Sequence, residues 1–549
     1  MRHKFSTLAD VYDYSTEKFA KRYASGFIEG GQTYTYAQIK EKADSLSGTL
    51  SSFGVNAEDK IAILSESMPN WTIAFFATTA FGRILVPMLP ELSPTEVENI
   101  LEHSESKVVF VSAKQKAKLS AERIEKLRLV ICLDDFSFIK VDSKAYTCDG
   151  NVKNPNPMDI AAILYTSGTT GNAKGVMLSH RNFCWNVLEA WHNFHVNRHM
   201  HFLSVLPMAH TYEMSIGMLY PFAGGARVWY IQKLPTPTIL IDAMRKVRPH
   251  AMLTVPLIIE KVYRSSVVKT VAKSKFLTFL KEHFPGLLYR LVGMKLMKTF
   301  GGRLQFFGIG GSKLDPQVEN FLNKAHFPYV TGYGLTETAP LICGAKPGHP
   351  VLGSTGKPAY GISVRLDNVN PATGEGELVA KGPNVMLGYY KDYERTRSVL
   401  DEDGWFHTGD LAKVDKKGRY SIMGRLKTVI VGASGENIYP EEIESVINNM
   451  NEVTDSLVIE RDGHLVALVQ FNDNVFDWNL EGQDKFIEDM EARTKAIVDF
   501  VNENVSKFSK IKEVVVMKEP FKKTATHKIK RYLYTKDDSK EEKKEESNK

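Results

Sequence analysis

Tyr165-Thr-Ser-Gly-Thr-Thr-Gly-Asn-Ala-Lys-Gly175 packs three glycines, four small hydroxyl side chains and one lysine into eleven residues. It follows an apolar run, Ile160–Tyr165 (IAAILY), of the length of a buried strand. Gly168, Gly171 and Gly175 let the backbone come close to a ligand. Thr166, Ser167, Thr169 and Thr170 offer hydroxyl donors and Lys174 a positive charge, a set that suits a polyphosphate. A flexible Gly/Ser/Thr connector is the bland alternative, and the hydroxyl density beside one lysine argues against it. The loop is not a Walker A motif, in which the lysine leads straight into a helix. Here Gly175 and a short strand, Val176–Leu178, come next. Only then does Ser179 read as the cap of a helix through His195. The phosphates are therefore expected in a strand–loop–strand flap.

Upstream, strand-like runs alternate with helical patterns. Lys60–Glu66 is followed by a helix after Pro69, Ile84–Leu89 by a helix from Ser93, and strands recur at Lys107–Val111 and Leu129–Leu133. The rhythm continues through Ala251–Val255 and Leu304–Gly308. It predicts α/β layers with largely parallel sheets. After about Gly424 the texture changes. A Gly-rich segment, VIVGASGENIYP, precedes the helical pattern EEIESVINNM. Strands at Asp455–Glu460 and Leu465–Gln470 follow, then a long helix carrying Phe486, Met490, Ala496, Ile497 and Phe500. A compact second domain of roughly 120 residues fits this pattern. The last stretch, TKDDSKEEKKEESNK, has no apolar residue and reads as a solvated, disordered tail.

A chain of 549 residues, 43% hydrophobic and 24% charged, has ample material for large cores. The net charge of +6 is unevenly spread. Lys261–Arg303 holds ten Lys/Arg against one acid, Glu282, an excess larger than that of the whole chain. No nucleic-acid motif accompanies it. Cys132, Cys148, Cys184 and Cys343 form no CxxC pair or zinc spacing, so free thiols in a reducing cytoplasm are expected. MRHKFSTLADVYDYS lacks the apolar core of a secretory signal. Trp71–Leu89, broken by Arg83 and Pro87, reads as a buried helix running into a strand rather than a membrane span.

The stretch YTSGTTGNAKGVMLSH resembles the phosphate loop of the adenylate-forming superfamily, which includes acyl-CoA synthetases, firefly-type luciferases and peptide-synthetase adenylation domains. Ala173 stands where proline is usual. The resemblance recurs in order over roughly residues 8 to 534. GIGGSKLD (308–315) is similar to the adenine-binding segment, with Gly310, Gly311 and Ser312; a plain strand–turn–helix is its bland reading. Tyr333-Gly-Leu-Thr-Glu337 resembles a second signature, in which Tyr333 and Gly334 flank adenine, Thr336 touches the α-phosphate and Glu337 binds Mg²⁺. A carboxylate beside a triphosphate is repelled unless a divalent ion lies between them. Trp405-Phe-His-Thr-Gly-Asp410 resembles a third, with Asp410 on the ribose hydroxyls. A turn aspartate bonded to backbone amides is the alternative. Gly424-Arg-Leu-Lys427 resembles the interdomain hinge, Arg425 contacting ribose or phosphate and Lys427 acting as pivot, where many relatives carry aspartate. Gly432, Ser434, Gly435 and Glu436 match the loop that lines the thiol tunnel. Thr526-His-Lys-Ile-Lys-Arg531 matches the segment of the catalytic lysine, Lys528, with His527 where glycine is usual. Without the rest of the pattern, Lys528 would read as a solvated lysine in a basic run.

The resemblance implies an α/β fold: a large N-terminal domain of layered α/β sheets plus a β-barrel (1–425), a small mobile α+β C-terminal domain (426–534) and a disordered charged tail (535–549). It implies ATP, Mg²⁺ and coenzyme A as cofactors and cosubstrates. LPMAHTYEMSIGMLYPFAGGARV (206–228) is similar to the substrate-gating segment of long-chain acyl-CoA synthetases, with His210 and Tyr212 near the acyl entrance. A core or rim histidine is the other reading of His210. Glu213, the only acid there, is taken as part of the long-chain pattern. The implied activity is ATP-dependent conversion of a medium- or long-chain fatty acid to acyl-AMP and then acyl-CoA. Transfer to a carrier protein is the nearest alternative; a non-catalytic nucleotide-binding regulator is a third, opposed by intact Lys174, Glu337, Asp410 and Lys528. The basic segment 261–303 also holds Phe276, Phe279 and Phe284, a composition suited either to an anionic membrane surface or to helices packed on a sheet with a solvated basic face. The expected location is cytoplasmic, with peripheral membrane contact through that segment as an open question. Oligomeric state is not legible.

Overall fold

The computed structural model describes residues 5–142, 154–167, 173–233, 236–431, 437–526 and 528–535. These fall into two compact units. One takes the described residues up to Thr166, Ala173–Thr408 and Lys413–Ile422; the other takes Ser167, Gly409–Ala412 and the described residues from Met423 onward.

The first unit is built on two large sheets. An eight-stranded sheet runs in the order 388–389, 173–179, 160–167, 84–88, 60–64, 108–111, 129–132, 138–141. Its centre is parallel, with Lys60–Leu64 between Ile84–Met88 and Val108–Val111. Those strands are almost wholly buried, as parallel strands covered on both faces must be. Helix Pro69–Thr79 is buried all round, so it carries no polar face. Helix Pro94–Ser104 starts in a capping box made by Ser93 and Glu96. A nine-stranded sheet orders 357–358, 341–344, 329–334, 306–309, 251–254, 201–204, 227–230, 23–27 and 33–35. The strand expected at Leu304–Gly308 lies at Phe306–Ile309, two residues later at its start, because Phe306 pairs with Ala251 across the parallel ladder. After Ile362 comes a four-stranded sheet of 363–367, 376–381, 406–414 and 420–425.

In the second unit, helix Pro440–Ile447 and the 21-residue helix Asp484–Asn504 accompany a three-stranded sheet of Val453–Arg461, His464–Phe471 and Glu513–Val516. Ile443, Ile447, Val458, Val469, Phe486, Ile497 and Val501 form its core. Of the apolar residues expected on the long helix, Ala496 and Phe500 are exposed, Phe500 at 38%.

Candidate active site

The sheet strand Ile160–Ser167 ends where the quoted loop begins, and Ala173–Ser179 resumes beside it in the same sheet. The second strand is longer than Val176–Leu178 at both ends, and its Val176 and Met177 pair with Tyr389 and Gly388. Ser179 caps helix His180–Asn193 as expected, but Phe194 is already extended and ends it before His195. Gly168, Thr169, Thr170 and Gly171 lie outside the described residues, as do Gly432, Ser434, Gly435 and Glu436. Ser167 ends its strand. The Thr166 hydroxyl is buried and has no hydrogen-bond partner among the described residues, an orphan at the mouth of the loop.

Lys174 is the meeting point. Its Nζ donates to Glu337 Oε1 at 2.6 Å and to the Tyr389 hydroxyl at 2.8 Å. The Tyr389 hydroxyl donates to the same carboxylate oxygen at 2.9 Å. The ammonium also sits 4.5 Å from the Tyr389 ring centroid. Burial pushes the Glu337 carboxyl upward, but the Lys174 charge and these hydrogen bonds outweigh it and hold it below the usual carboxylate range. So two motifs 163 residues apart in sequence form one buried ion pair.

The loop that carries Glu337 is fastened by side-chain amides. Asn186, on helix His180–Asn193, donates to the Thr338 carbonyl at 3.3 Å and accepts from the Leu341 amide at 3.1 Å. Asn182 donates to the Pro383 and Val385 carbonyls, both at 2.8 Å. Ser215 donates to the Ala339 carbonyl at 2.9 Å. The Met386 amide reaches the Glu337 carbonyl at 2.8 Å. Gly334 admits no side chain, since a Cβ there would lie 1.7 Å from the Pro340 carbonyl oxygen. Thr336 opens a single 3₁₀ turn, Thr336–Thr338, that presents Glu337.

Tyr333 is on strand Tyr329–Gly334, parallel to Phe306–Ile309 with Ile309 opposite Thr331. Gly310–Ser312 therefore leaves the sheet beside Gly332–Gly334, which continues its own strand and pairs with Leu341–Gly344; the carboxyl ends of such strands are where open α/β sheets bind ligands. Tyr212 covers this segment: a Cβ at Gly308 would meet its hydroxyl at 2.5 Å. His210 Nδ1 accepts from the Tyr212 amide at 3.2 Å, which fixes that ring nitrogen as the acceptor. Glu213 follows in a π-helical segment, Glu213–Leu219, and is fully buried. Desolvation pushes its carboxyl up to about 8, and only the nearby Ser204 hydroxyl favours the ionised form.

A folded-state value raised above the unfolded one contributes stability that is full below about 4.5 and is lost as pH rises through about 8. Glu213→Gln is therefore expected to flatten that slope and to stabilise the first unit by roughly 2–3 kcal/mol at pH 7. Urea unfolding of both proteins at pH 5 and pH 8 checks it: an equal difference at the two pH values contradicts the assignment.

In the second unit, Arg425 Nε lies 3.2 Å from the buried Asp410 carboxylate, and the Leu426 amide donates to the Gly409 carbonyl at 2.9 Å. Lys427 is exposed. Lys528 closes a tight turn that begins after Thr524. The Thr524 amide donates to its carbonyl at 2.8 Å, and its own amide donates to Thr524 Oγ1 at 3.2 Å. Arg531 pins the following residues by donating to Glu444 at 2.7 Å and to the Val458 carbonyl at 2.8 Å. Lys528 keeps solvent contact, yet the protein gathered around it and then the Arg425 guanidinium lower its pKa, with Asp410 opposing them. Three residues of the motif set thus face one another inside this unit.

Tyr389, Asn182 and Asn186 are the residues that motif reading misses. The only local signal is Gly388-Tyr389-Tyr390 after an apolar run. The model of the AMP-binding enzyme family matches residues 13–390. The chain belongs to that family. A second model, the AMP-binding enzyme C-terminal domain, matches residues 427–541 of this AMP-binding enzyme. It is 30% identical to "Long chain acyl-CoA synthetase 6, peroxisomal" of Arabidopsis thaliana over 95% of this chain and 83% of that one. It is 29% identical to "Long chain acyl-CoA synthetase 7, peroxisomal" of the same plant, over 86% and 75%. Among solved structures, O-succinylbenzoate coenzyme A synthetase from Bacillus subtilis in complex with AMP superposes with a TM-score of 0.74 at 20% identity, covering 96% of this chain and 98% of that one. ATP-bound MatB from Rhodopseudomonas palustris gives 0.73 at 23%, again over 96% and 98%. Those two likenesses establish the adenylate-forming fold. Among the described residues no helix is long and apolar enough to cross a membrane.

Proposed function

We propose that this AMP-binding enzyme is an AMP-forming fatty acid–CoA ligase acting on medium- or long-chain acids. The observation that carries the proposal is the buried Lys174–Glu337–Tyr389 cluster, which ties the glycine- and hydroxyl-rich loop to the YGLTE segment. The names of its relatives support the acyl class. Glu213 supports it further: a carboxyl raised to about 8 is mostly neutral at pH 7 and offers no charge to a substrate amine. That favours an apolar tail over an amino acid.

In this reading residues 1–425 are the adenylation domain, 426–534 a domain that pivots at Lys427, and 535–549 a tail. ATP's β- and γ-phosphates lie under the 165–175 loop against Lys174, and the orphaned Thr166 hydroxyl is a donor of the kind this needs. Asp410 and Arg425 take the ribose, and Tyr333 and Gly310–Ser312 the base. The donor set fits Mg²⁺, because such sites use one or two carboxylates and draw their other ligands from phosphate and water. Glu337 would hold it, and when bound it supplies screening of the triphosphate charge. A substrate carboxylate oxygen attacks the α-phosphorus, the bond to the β-phosphate bridging oxygen breaks, and pyrophosphate leaves. Two anions meet in this step, and in this reading the Lys528 ammonium neutralises both. Afterwards the coenzyme A thiolate attacks the acyl carbon and AMP departs, with the 432–436 loop lining the thiol path and His210 at the acyl entrance.

A screen of pyrophosphate release across short, medium and long acids, with coenzyme A, acyl carrier protein or no acceptor, tests this. Release that depends on a medium or long acid, and turnover with coenzyme A, is the expected result. Release with no fatty acid, or only with an amino acid, overturns the reading.

A further inference from the structure

The basic segment noted in the sequence folds into an exposed helical surface that nucleotide and acyl chemistry do not use. Helix Lys275–His283 buries Leu280 alone, and helix Pro285–Thr299 buries only Leu288, Gly293 and Leu296. The turn between them, residues 281–287, is exposed at every position. Large apolar side chains stand out from it: Phe276 is 61% exposed, Phe279 49%, Phe284 56% and Leu287 48%. Among the described residues four phenylalanines are at least 49% exposed, and three of them fall within the nine positions 276–284. Such concentration is not the scattered surface hydrophobicity of ordinary proteins.

Beside this apolar prong lies an open groove of ≈ 830 Å³. Arg245, Arg248, Arg290, Lys298 and His326 line it, with Met294 and Met297 as its apolar part. No carboxylate lines it. Its basic groups come from three parts of the first unit, helix Pro237–Val247 with its left-handed cap Arg248, helix Pro285–Thr299, and the turn after helix Pro316–Lys324. Arg248 is oriented by its Nε donating to the Gly301 carbonyl at 2.9 Å. On helix Pro285–Thr299, Leu287, Arg290, Met294 and Lys298 recur at helical spacing, so Leu287 lies on the helix face that carries Arg290 and Lys298 into the groove. The nearest acids are engaged or few: Asp242 pairs with Lys246 at 2.8 Å, and Glu282 is the only acid between Lys261 and Arg303.

We propose that this face docks on the headgroup layer of an anionic phospholipid bilayer. The phosphates occupy the groove, and Phe276, Phe279, Phe284 and Leu287 enter the headgroup–acyl boundary. Charge alone would suit any polyanion. The phenylalanines decide for a lipid surface, because an interfacial element needs apolar side chains and cations on one face. Docking there would place the enzyme at the surface where water-insoluble fatty acids reside.

The test is co-sedimentation of the full chain with phosphatidylcholine vesicles and with vesicles carrying about 30 mol% phosphatidylglycerol, whose surface attracts basic residues. Binding to the anionic vesicles only, weakening steeply with salt, is expected. The double variant Arg290→Gln/Lys298→Gln should bind them about 30-fold more weakly, and Phe284→Ser/Leu287→Ser several-fold more weakly. Both variants should release pyrophosphate with a soluble short or medium acid at the wild-type rate, which also shows that they fold. Four outcomes overturn the proposal. These are binding to neither vesicle, equal binding to both, displacement by inorganic phosphate at constant ionic strength, and a phenylalanine variant that binds as tightly as wild type, which marks a general polyanion site.

Discussion

Lys528→Ala is expected to slow acyl-adenylate formation roughly 10²–10³-fold or more, by analogy with the loss of other preorganised electrostatic groups. The residue carries no nucleophile or proton-transfer duty in the scheme above. Its contribution is a positive charge beside two reacting anions, and that contribution exists only in the first half-reaction. Thioester formation from supplied acyl-AMP should therefore proceed near the wild-type rate in the same variant. Lys528→Arg should recover part of the first step, since it restores charge but not shape. Equal loss in both half-reactions would refute a role confined to adenylation. The pKa direction adds a second readout. Crowding by protein and by Arg425 lowers the Lys528 value, so the alkaline limb of the adenylation rate should lie below that of an ordinary lysine, and it should move upward in Arg425→Gln.

Glu337→Ala carries the other large effect, because it acts on stability and on chemistry together. Removing one partner of a buried pair leaves an uncompensated charge, which costs about 3–5 kcal/mol in general. Lys174 keeps 22% side-chain exposure and can turn toward water, so about 3 kcal/mol is expected. The carboxyl is held low in the fold, so the stability it contributes is present above its unfolded value near 4.5 and is lost as pH falls through the folded one. The difference between wild type and Glu337→Ala in urea unfolding should therefore shrink on acidification. Glu337→Gln keeps the shape and tests the charge alone: pyrophosphate release should fall roughly 10²–10³-fold. Tyr389→Phe, which removes one neutral hydroxyl from the cluster, should cost only about 1 kcal/mol of stability. A Glu337→Gln enzyme of normal rate, or a Tyr389→Phe protein destabilised as much as Glu337→Ala, contradicts the reading of the cluster.

The alternation of strand and helix was legible because parallel strands buried on both faces must be written as short unbroken apolar runs, and KIAIL, ILVPM and VVFV are such runs. Caps were legible for the same local reason: Ser93 and Ser179 sit where a side-chain oxygen is needed by free amides. Long-range pairing was not legible. Strand Phe306–Ile309 takes its start from a neighbour 55 residues away, and nothing local announces that shift. Gly388–Tyr389 is a two-residue strand with no periodicity to detect, yet it pairs with the strand after the phosphate loop and delivers Tyr389 to Glu337. Each signature could be quoted by itself; that Lys174 and Glu337 touch depends on tertiary structure. The basic segment left two readings open, and the exposure of its phenylalanines is the ground on which the docking proposal rests.

Helix His180–Asn193 grows directly out of the strand that leaves the phosphate loop, and its two asparagines clasp the Glu337 loop and the chain just before Tyr389. Loop cation, carboxylate and phenol are therefore bolted to a single strut. Whatever rearrangement accompanies turnover, these three groups travel as one piece, and the grip on a polyphosphate need not be rebuilt between the two halves of the cycle.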